Sequence, residues 1–142
     1  MPTEQNKKLV LEMTEAFNTG DISICDELLD PDPSPRRGEP GVPRTSGELK
    51  KKIAAVRRAF PDLHYEVDRI VAEDESVAFH WIMTGTHGGP LLGHPPTNRE
   101  ITHSGTDVVT FKDGKIVEHY AADNFADLLG KLGIQRGGGP AA

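Results

Sequence analysis

The hydrophobic period of this chain changes once, at Phe60-Pro61-Asp62, and that change limits the fold more than any other feature. Before it, apolar residues recur at helical spacing; after it, they alternate. "EQNKKLVLEMTEAFNTG" carries Leu9, Met13, Ala16 and Phe17 on one helical stripe and stops at Gly20. "DISICDELL" predicts a short second helix, with Asp21 as N-cap and Ile22, Cys25 and Leu28 or Leu29 buried. A third helix begins near Ser46, sets Leu49, Ile53, Val56 and Phe60 on one face, and ends at Pro61. Helices followed by strands make an α+β domain.

The strands read by period two. "LHYEVDRIV" sets Leu63, Tyr65 and Val67 against His64, Glu66 and Asp68. "SVAFHWIMTGTH" puts Val77, Phe79, Trp81 and Met83 on one face, and "REITHSGTDVVTF" does the same for Ile101, His103, Asp107, Val109 and Phe111. Asp113-Gly114 is a tight turn. Regular alternation through "KIVEHYAAD" then faces Ile116, Glu118 and Tyr120 inward. "NFADLLGKLG" closes as a short helix ending at Gly133. The expected fold is a cone-shaped barrel: a strongly bent, mostly antiparallel sheet, covered by three N-terminal helices, with a short C-terminal helix. Residues 1–136 form one such domain, and the Gly-rich tail 137–142 is disordered. The proline-rich stretch 31–47 has no periodicity and reads as a functional or disordered loop.

The formal charge of −6 is interspersed along the chain, which argues against nucleic acid as partner. Lys50-Lys51-Lys52 and Arg57-Arg58 fall on a helical pattern, as its solvated face. A single cysteine, Cys25, excludes an intrachain disulfide framework. With no secretory h-region and no run able to cross a bilayer, the expectation is a soluble cytoplasmic protein with no membrane partner.

Several residues carry chemistry, each with a plainer alternative. Asp107 lies on an apolar face, where a carboxylate is costly unless paired or neutralised. It is either an acid/base group or a structural carboxylate bonded to His103 or a backbone N–H. His103 bonds substrate, bonds Asp107, or is a satisfied core histidine. Asn124 orients a substrate carbonyl or caps the last helix, and Asp123 has the same cap alternative. One step along a strand reverses side-chain direction, so Asp123 points out of the pocket unless the chain bends. Trp81, Met83 and Phe17 line the pocket or pack the core, Tyr120 is an inward wall with a hydroxyl donor, and Leu91 with Leu92 forms an apolar flap. His87 and His94 have no accompanying metal-ligand set, so no metal is expected. Gly88-Gly89 runs into proline rather than a helix start, which rules out a phosphate loop.

Read in order, "AFNTGD", "AFPDLHYEV", "TGTHGGPLLGHPPTNREI" and "DGKIVEHY…NF…LLGKLG" resemble the SnoaL-like polyketide cyclase family, of the nuclear-transport-factor-2-like cone fold, from about Glu4 to Gly133. The resemblance implies a homodimer and a small, hydrophobic, polyketide-like substrate. It also implies chemistry without a cofactor: a carboxylate in an apolar pocket handles a proton activated by neighbouring carbonyls, while the pocket folds the substrate for ring closure. The family's acid/base aspartate matches Asn124 here and its histidine partner matches Asp107, so the pair looks exchanged. A branch involved in anthracycline 1-hydroxylation also reads "NF" at this point. The leading expectation is a cyclase or isomerase of secondary metabolism. Alternatives are hydroxylation, epoxide opening with ether-ring formation or pericyclic closure on the same scaffold, or a small-molecule-binding protein without turnover.

Overall fold

Capping chemistry sets where the helices begin in the computed structural model, which describes residues 2–32, 37–38, 42–123 and 125–134. Asn124, the tail 137–142 and parts of the proline-rich stretch lie outside these residues. Helix α1 spans Pro2–Thr19 and buries Leu9, Met13, Ala16 and Phe17, the predicted stripe. Helix α2 is shorter than expected, Ile24–Leu28. Asp21 is not its N-cap: the carboxylate accepts from Ser23 N (3.0 Å) and Ser23 Oγ (2.8 Å), closing a turn before the helix. Ile22 is consequently 39% exposed, and Ile24 takes the buried place. After the two-residue strand β1, Arg37–Gly38, helix α3 spans Ser46–Ala59 behind a capping box, in which Thr45 and Glu48 satisfy each other's backbone N–H.

Four long strands follow: β2 His64–Glu73, β3 Ser76–Thr86, β4 Glu100–Lys112 and β5 Lys115–Asp123, before helix α4, Phe125–Lys131. The sheet order is β1-β5-β4-β3-β2. All neighbours are antiparallel except β1, which runs parallel to β5 at the edge. No alternation in the proline-rich stretch announces so short a strand. The result is a curved α+β sheet with helices packed over its inner face. Helix α1 lies against β2 and β3 and is pinned there by Asn18, whose amide accepts from Tyr65 N (2.7 Å) and donates to Tyr65 O (2.8 Å). Arg57 of α3 caps the same helix by donating to Phe17 O and Asn18 O.

Strands β3 and β4 bury the residues that their alternation predicts, and these join the helical stripes in one core. Strand β5 does not follow its alternation. Thr110 pairs with Glu118 but Phe111 pairs with Ile116, so Val117 is an extra residue, a β-bulge. Ile116 stays inward, and beyond the bulge the inward set becomes His119, Ala121 and Asp123 instead of Glu118 and Tyr120. A single inserted residue reverses every side chain after it. Among the described residues no helix is long and apolar enough to cross a membrane.

Candidate active site

The bulge brings two copies of one short pattern face to face. Strand β4 carries His103-Ser-Gly-Thr-Asp107, and β5 carries His119-Tyr-Ala-Ala-Asp123. The strands are antiparallel, with Gly105 opposite Asp123, Asp107 opposite Ala121, and Val109 opposite His119. Each histidine therefore meets the other strand's aspartate as a diagonal neighbour, a separation that long side chains bridge. His103 Nε2 lies 2.9 Å from Asp123 Oδ2, and His119 Nε2 lies 2.8 Å from Asp107 Oδ2. An ionised carboxylate only accepts, so each imidazole presents Nε2–H to its partner. His103 accordingly bonds Asp123, and not Asp107 as one expectation had it.

The two pairs differ in what else reaches the carboxylate. Asp107 Oδ1 also accepts from Trp81 Nε1 at 2.9 Å, so both its oxygens hold a donor. Among the described residues only His103 meets the Asp123 carboxylate, at Oδ2, and the Asp123 side chain is 35% exposed against 13% for Asp107. Trp81 sits between the pairs: its indole lies opposite Gly105 in the ladder and meets the His103 ring edge-on at 5.6 Å. Only glycine permits this, since a Cβ on Gly105 would fall 2.6 Å from Trp81 Cζ2 and 2.8 Å from Asp123 Cβ.

Aromatic rings extend the wall. Tyr65 stacks on Trp81 (5.2 Å between centroids) and on Phe17 of α1 (5.1 Å). Such pairs contribute ~0.5–1.5 kcal/mol each beyond area burial. Met83 lies between Tyr65 and His103 in the ladder and is buried. The phenol of Tyr65 is held well above the usual tyrosine range, mainly by burial and further by the charges of Asp107 and Asp123.

Of the residues expected from sequence, His103, Asp107, Asp123, Trp81, Met83 and Phe17 come together here. Asn124 lies outside the described residues. Tyr120 is not an inward wall: the Val117 bulge turns it to the outer face, where it is 42% exposed. Leu91 packs against the core from its loop, and Leu92 is 72% exposed. Among the described residues none of the bonds or ring contacts of the two pairs involves Leu91. The pattern alone missed two residues: His119, placed outward by unbroken alternation, and Tyr65, set on one face with Leu63 and Val67 and given no role. The repeated His-x-x-x-Asp on either side of the Asp-Gly turn is the signal that could have found His119.

The loop after β3 is a brace. His87 is fully buried; its Nδ1 accepts from Thr97 N (3.2 Å) and meets Thr97 Oγ1 (3.0 Å). Gly88 N and Gly89 N both donate to Ala59 O at the end of α3, and a Cβ on Gly89 would overlap the Arg58 carbonyl oxygen. A groove of about 440 Å³ involves Asp62, Thr84, Thr86, Glu100 and Thr102. Its strand side chains alternate with the buried set, so it lies on the outer face and is separate from the two pairs. Among the described residues no group of three or more His, Cys, Asp or Glu could hold a metal ion.

The profile of the SnoaL-like polyketide cyclases matches residues 7–132. The chain belongs to the SnoaL-like polyketide cyclase family. As a SnoaL-like cyclase it is an enzyme, and its relatives agree with that. The nogalonic acid methyl ester cyclase of Streptomyces nogalater is 31% identical over 123 residues, 85% of this chain and 92% of the relative. AclR of Streptomyces galilaeus, described as a candidate hydroxylase, is 32% identical with a TM-score of 0.75, covering 92% of this chain and 97% of AclR. IdmH of Streptomyces antibioticus, a candidate polyketide cyclase, is 28% identical with a TM-score of 0.73, covering 92% and 99%. The curved sheet under helices described above is the architecture this SnoaL-like chain shares with them.

Proposed function

We propose that this enzyme closes a ring in a polyketide-like hydrophobic intermediate without a cofactor, and that Asp123, oriented by His103, handles the proton. One observation carries the residue assignment: both Asp107 oxygens hold a donor, while among the described residues Asp123 holds one donor on one oxygen and is the more exposed of the two. A general base needs a free lone pair within reach of the substrate. In this reading the Asp123 carboxylate removes a proton from a carbon beside a carbonyl. The resulting enolate carbon attacks a second carbonyl of the same molecule, one C–C bond forms, and the new alkoxide recovers the proton. His103 holds the carboxylate in place, and Asp107 fixes Trp81 and His119. In this reading Asp107 takes the structural one of its two expected roles, with Trp81 and His119 as its partners.

The name of the Streptomyces nogalater relative makes nogalonic acid methyl ester the first substrate to try. Asp123→Asn should lower kcat by ~10²–10⁴ and leave the thermal midpoint near wild type. Wild-type turnover in Asp123→Asn would overturn the assignment. The AclR likeness favours a second reading, participation in hydroxylation. Product mass separates the two, because aldol closure gives an isomer of the substrate and hydroxylation adds an oxygen.

The reading extends to a homodimer. Val71, Ala78, Val108 and Tyr120 pair in sequence across four strands on the outer face, with Val71 58%, Val108 37% and Tyr120 42% exposed. An apolar row of this kind favours a covering partner. Val108→Asp should shift the sedimentation coefficient from dimer to monomer; an unchanged dimer would remove this face from consideration.

A further inference from the structure

Tyr65 is held more firmly than core packing requires. Its backbone N–H and C=O are both taken by the Asn18 amide, and its ring is clamped between Phe17 and Trp81 at nearly equal spacing, with interplanar angles of 17° and 19°. It stands on the inner face of β2, opposite Met83, and its ring lies on the indole that donates to Asp107. Among the described residues no acceptor takes the phenol hydrogen, and the side chain is half-buried with its hydroxyl oxygen open to solvent. A ring so fixed, with its hydroxyl reaching solvent beside two carboxylate–imidazole pairs, is placed to meet a ligand acceptor.

We infer that the Tyr65 hydroxyl binds a carbonyl oxygen of the substrate and donates more strongly as that oxygen gains charge during enolate formation. This rests on the reading of the site as one for carbonyl-activated proton removal. The phenol remains protonated throughout, since burial and the neighbouring carboxylates disfavour its ionisation. It therefore acts as donor only, and Asp123 keeps the base role. Donors preset toward a developing oxyanion need no reorganisation at the moment of reaction. The clamp formed by Asn18, Phe17 and Trp81 supplies that presetting.

The test uses two probes of one shape, 2-(hydroxymethyl)anthraquinone and 2-(hydroxymethyl)anthracene, the first bearing ring carbonyls and the second none. Wild-type protein should bind the quinone on the order of tenfold more tightly than the hydrocarbon, the size of one hydrogen bond. Tyr65→Phe keeps both ring stacks and should bind the two equally. A preference that persists in Tyr65→Phe overturns the inference, and so does a wild type that binds the quinone no better than the hydrocarbon, or binds neither. The wild-type comparison stands without any variant. With a turned-over substrate, Tyr65→Phe should lower kcat by about 10²-fold with KM little changed. If Asp123→Asn stays active while Tyr65→Phe loses the quinone preference, the carboxylate assignment falls and the donor stands. The opposite pattern leaves the base and removes the donor.

Discussion

Asp107 and Asp123 face the same interior, each bonded to a histidine of the other strand, yet they differ in what they can do. Asp107 is the more enclosed and receives two donors. Asp123 is the more open and receives one. The difference comes from position along the sheet. Asp107 sits beside Trp81, whose Nε1–H needs an acceptor when buried. Asp123 is the last residue of β5, before α4, and its side chain is partly exposed. The contrast teaches that the deepest carboxylate in a pocket need not be the reactive one, since enclosure and a donor on each oxygen leave fewer positions for a substrate to reach.

The strongest way to break this contrast is to remove the histidine of the enclosed pair. His119→Ala leaves Asp107 buried with the Trp81 donor alone. Removing one partner of a buried pair should cost about 3 kcal/mol or more, read by urea unfolding. His103→Ala, beside the more exposed Asp123, should cost less, and equal losses would show that the two pairs do not differ in enclosure.

A comparison of asparagine variants separates the pairs. Asp123→Asn should abolish most turnover at little cost in stability. Asp107→Asn should cost about 1–3 kcal/mol, read by urea unfolding, because one of two buried donors loses its acceptor. If Asp107→Asn keeps its stability and loses more turnover than Asp123→Asn, the roles are reversed. Gly105→Ala probes the ground between them. Its Cβ would press on Trp81 and on Asp123, and overpacking of this kind costs about 1–3 kcal/mol. Indole fluorescence should change in the same variant, since Trp81 is the sole tryptophan.

The smallest effect lies away from both pairs. Asp62 accepts from Thr86 N (2.7 Å) and Thr86 Oγ1 (2.8 Å), and these bonds hold its carboxyl below the usual range. A carboxyl depressed in the folded state stabilises above its unfolded value, about 3.9, and that contribution disappears as pH falls through the folded value. Asp62→Ala should lower the thermal midpoint by about 2 °C at pH 6. The gap from wild type should close toward pH 2, and a gap unchanged with pH would assign the effect to packing alone.

Much of this molecule is legible in its residues. The stripe of α1, the face of α3 and the inner faces of β3 and β4 follow from local periodicity, because side-chain direction in a regular element repeats over a few residues. Asp113-Gly114 turns as expected, with φ of 53° and 80°. The family, too, follows from ordered motifs. Asp107 and His103 could be named as site candidates because polar residues on an apolar face are conspicuous, and Trp81, Met83 and Phe17 because they share the apolar stripes; Asp123 could be named only as a cap or an acid that regular alternation points outward.

Tertiary structure decided the rest. A bulge exists only in the pairing of two strands, so alternation within β5 alone misplaced Tyr120 and hid His119. Which histidine meets which aspartate depends on the β4–β5 register, a relation between residues up to 20 positions apart. Whether a carboxylate is free to act depends on donors from other elements, such as the Trp81 indole on β3. The sequence by itself determined the elements, their buried faces and the family, since those rest on short-range repeats. Partnership, exposure and the division of labour between two like pairs were left to the folded sheet, because they are properties of contacts between strands and not of any one strand.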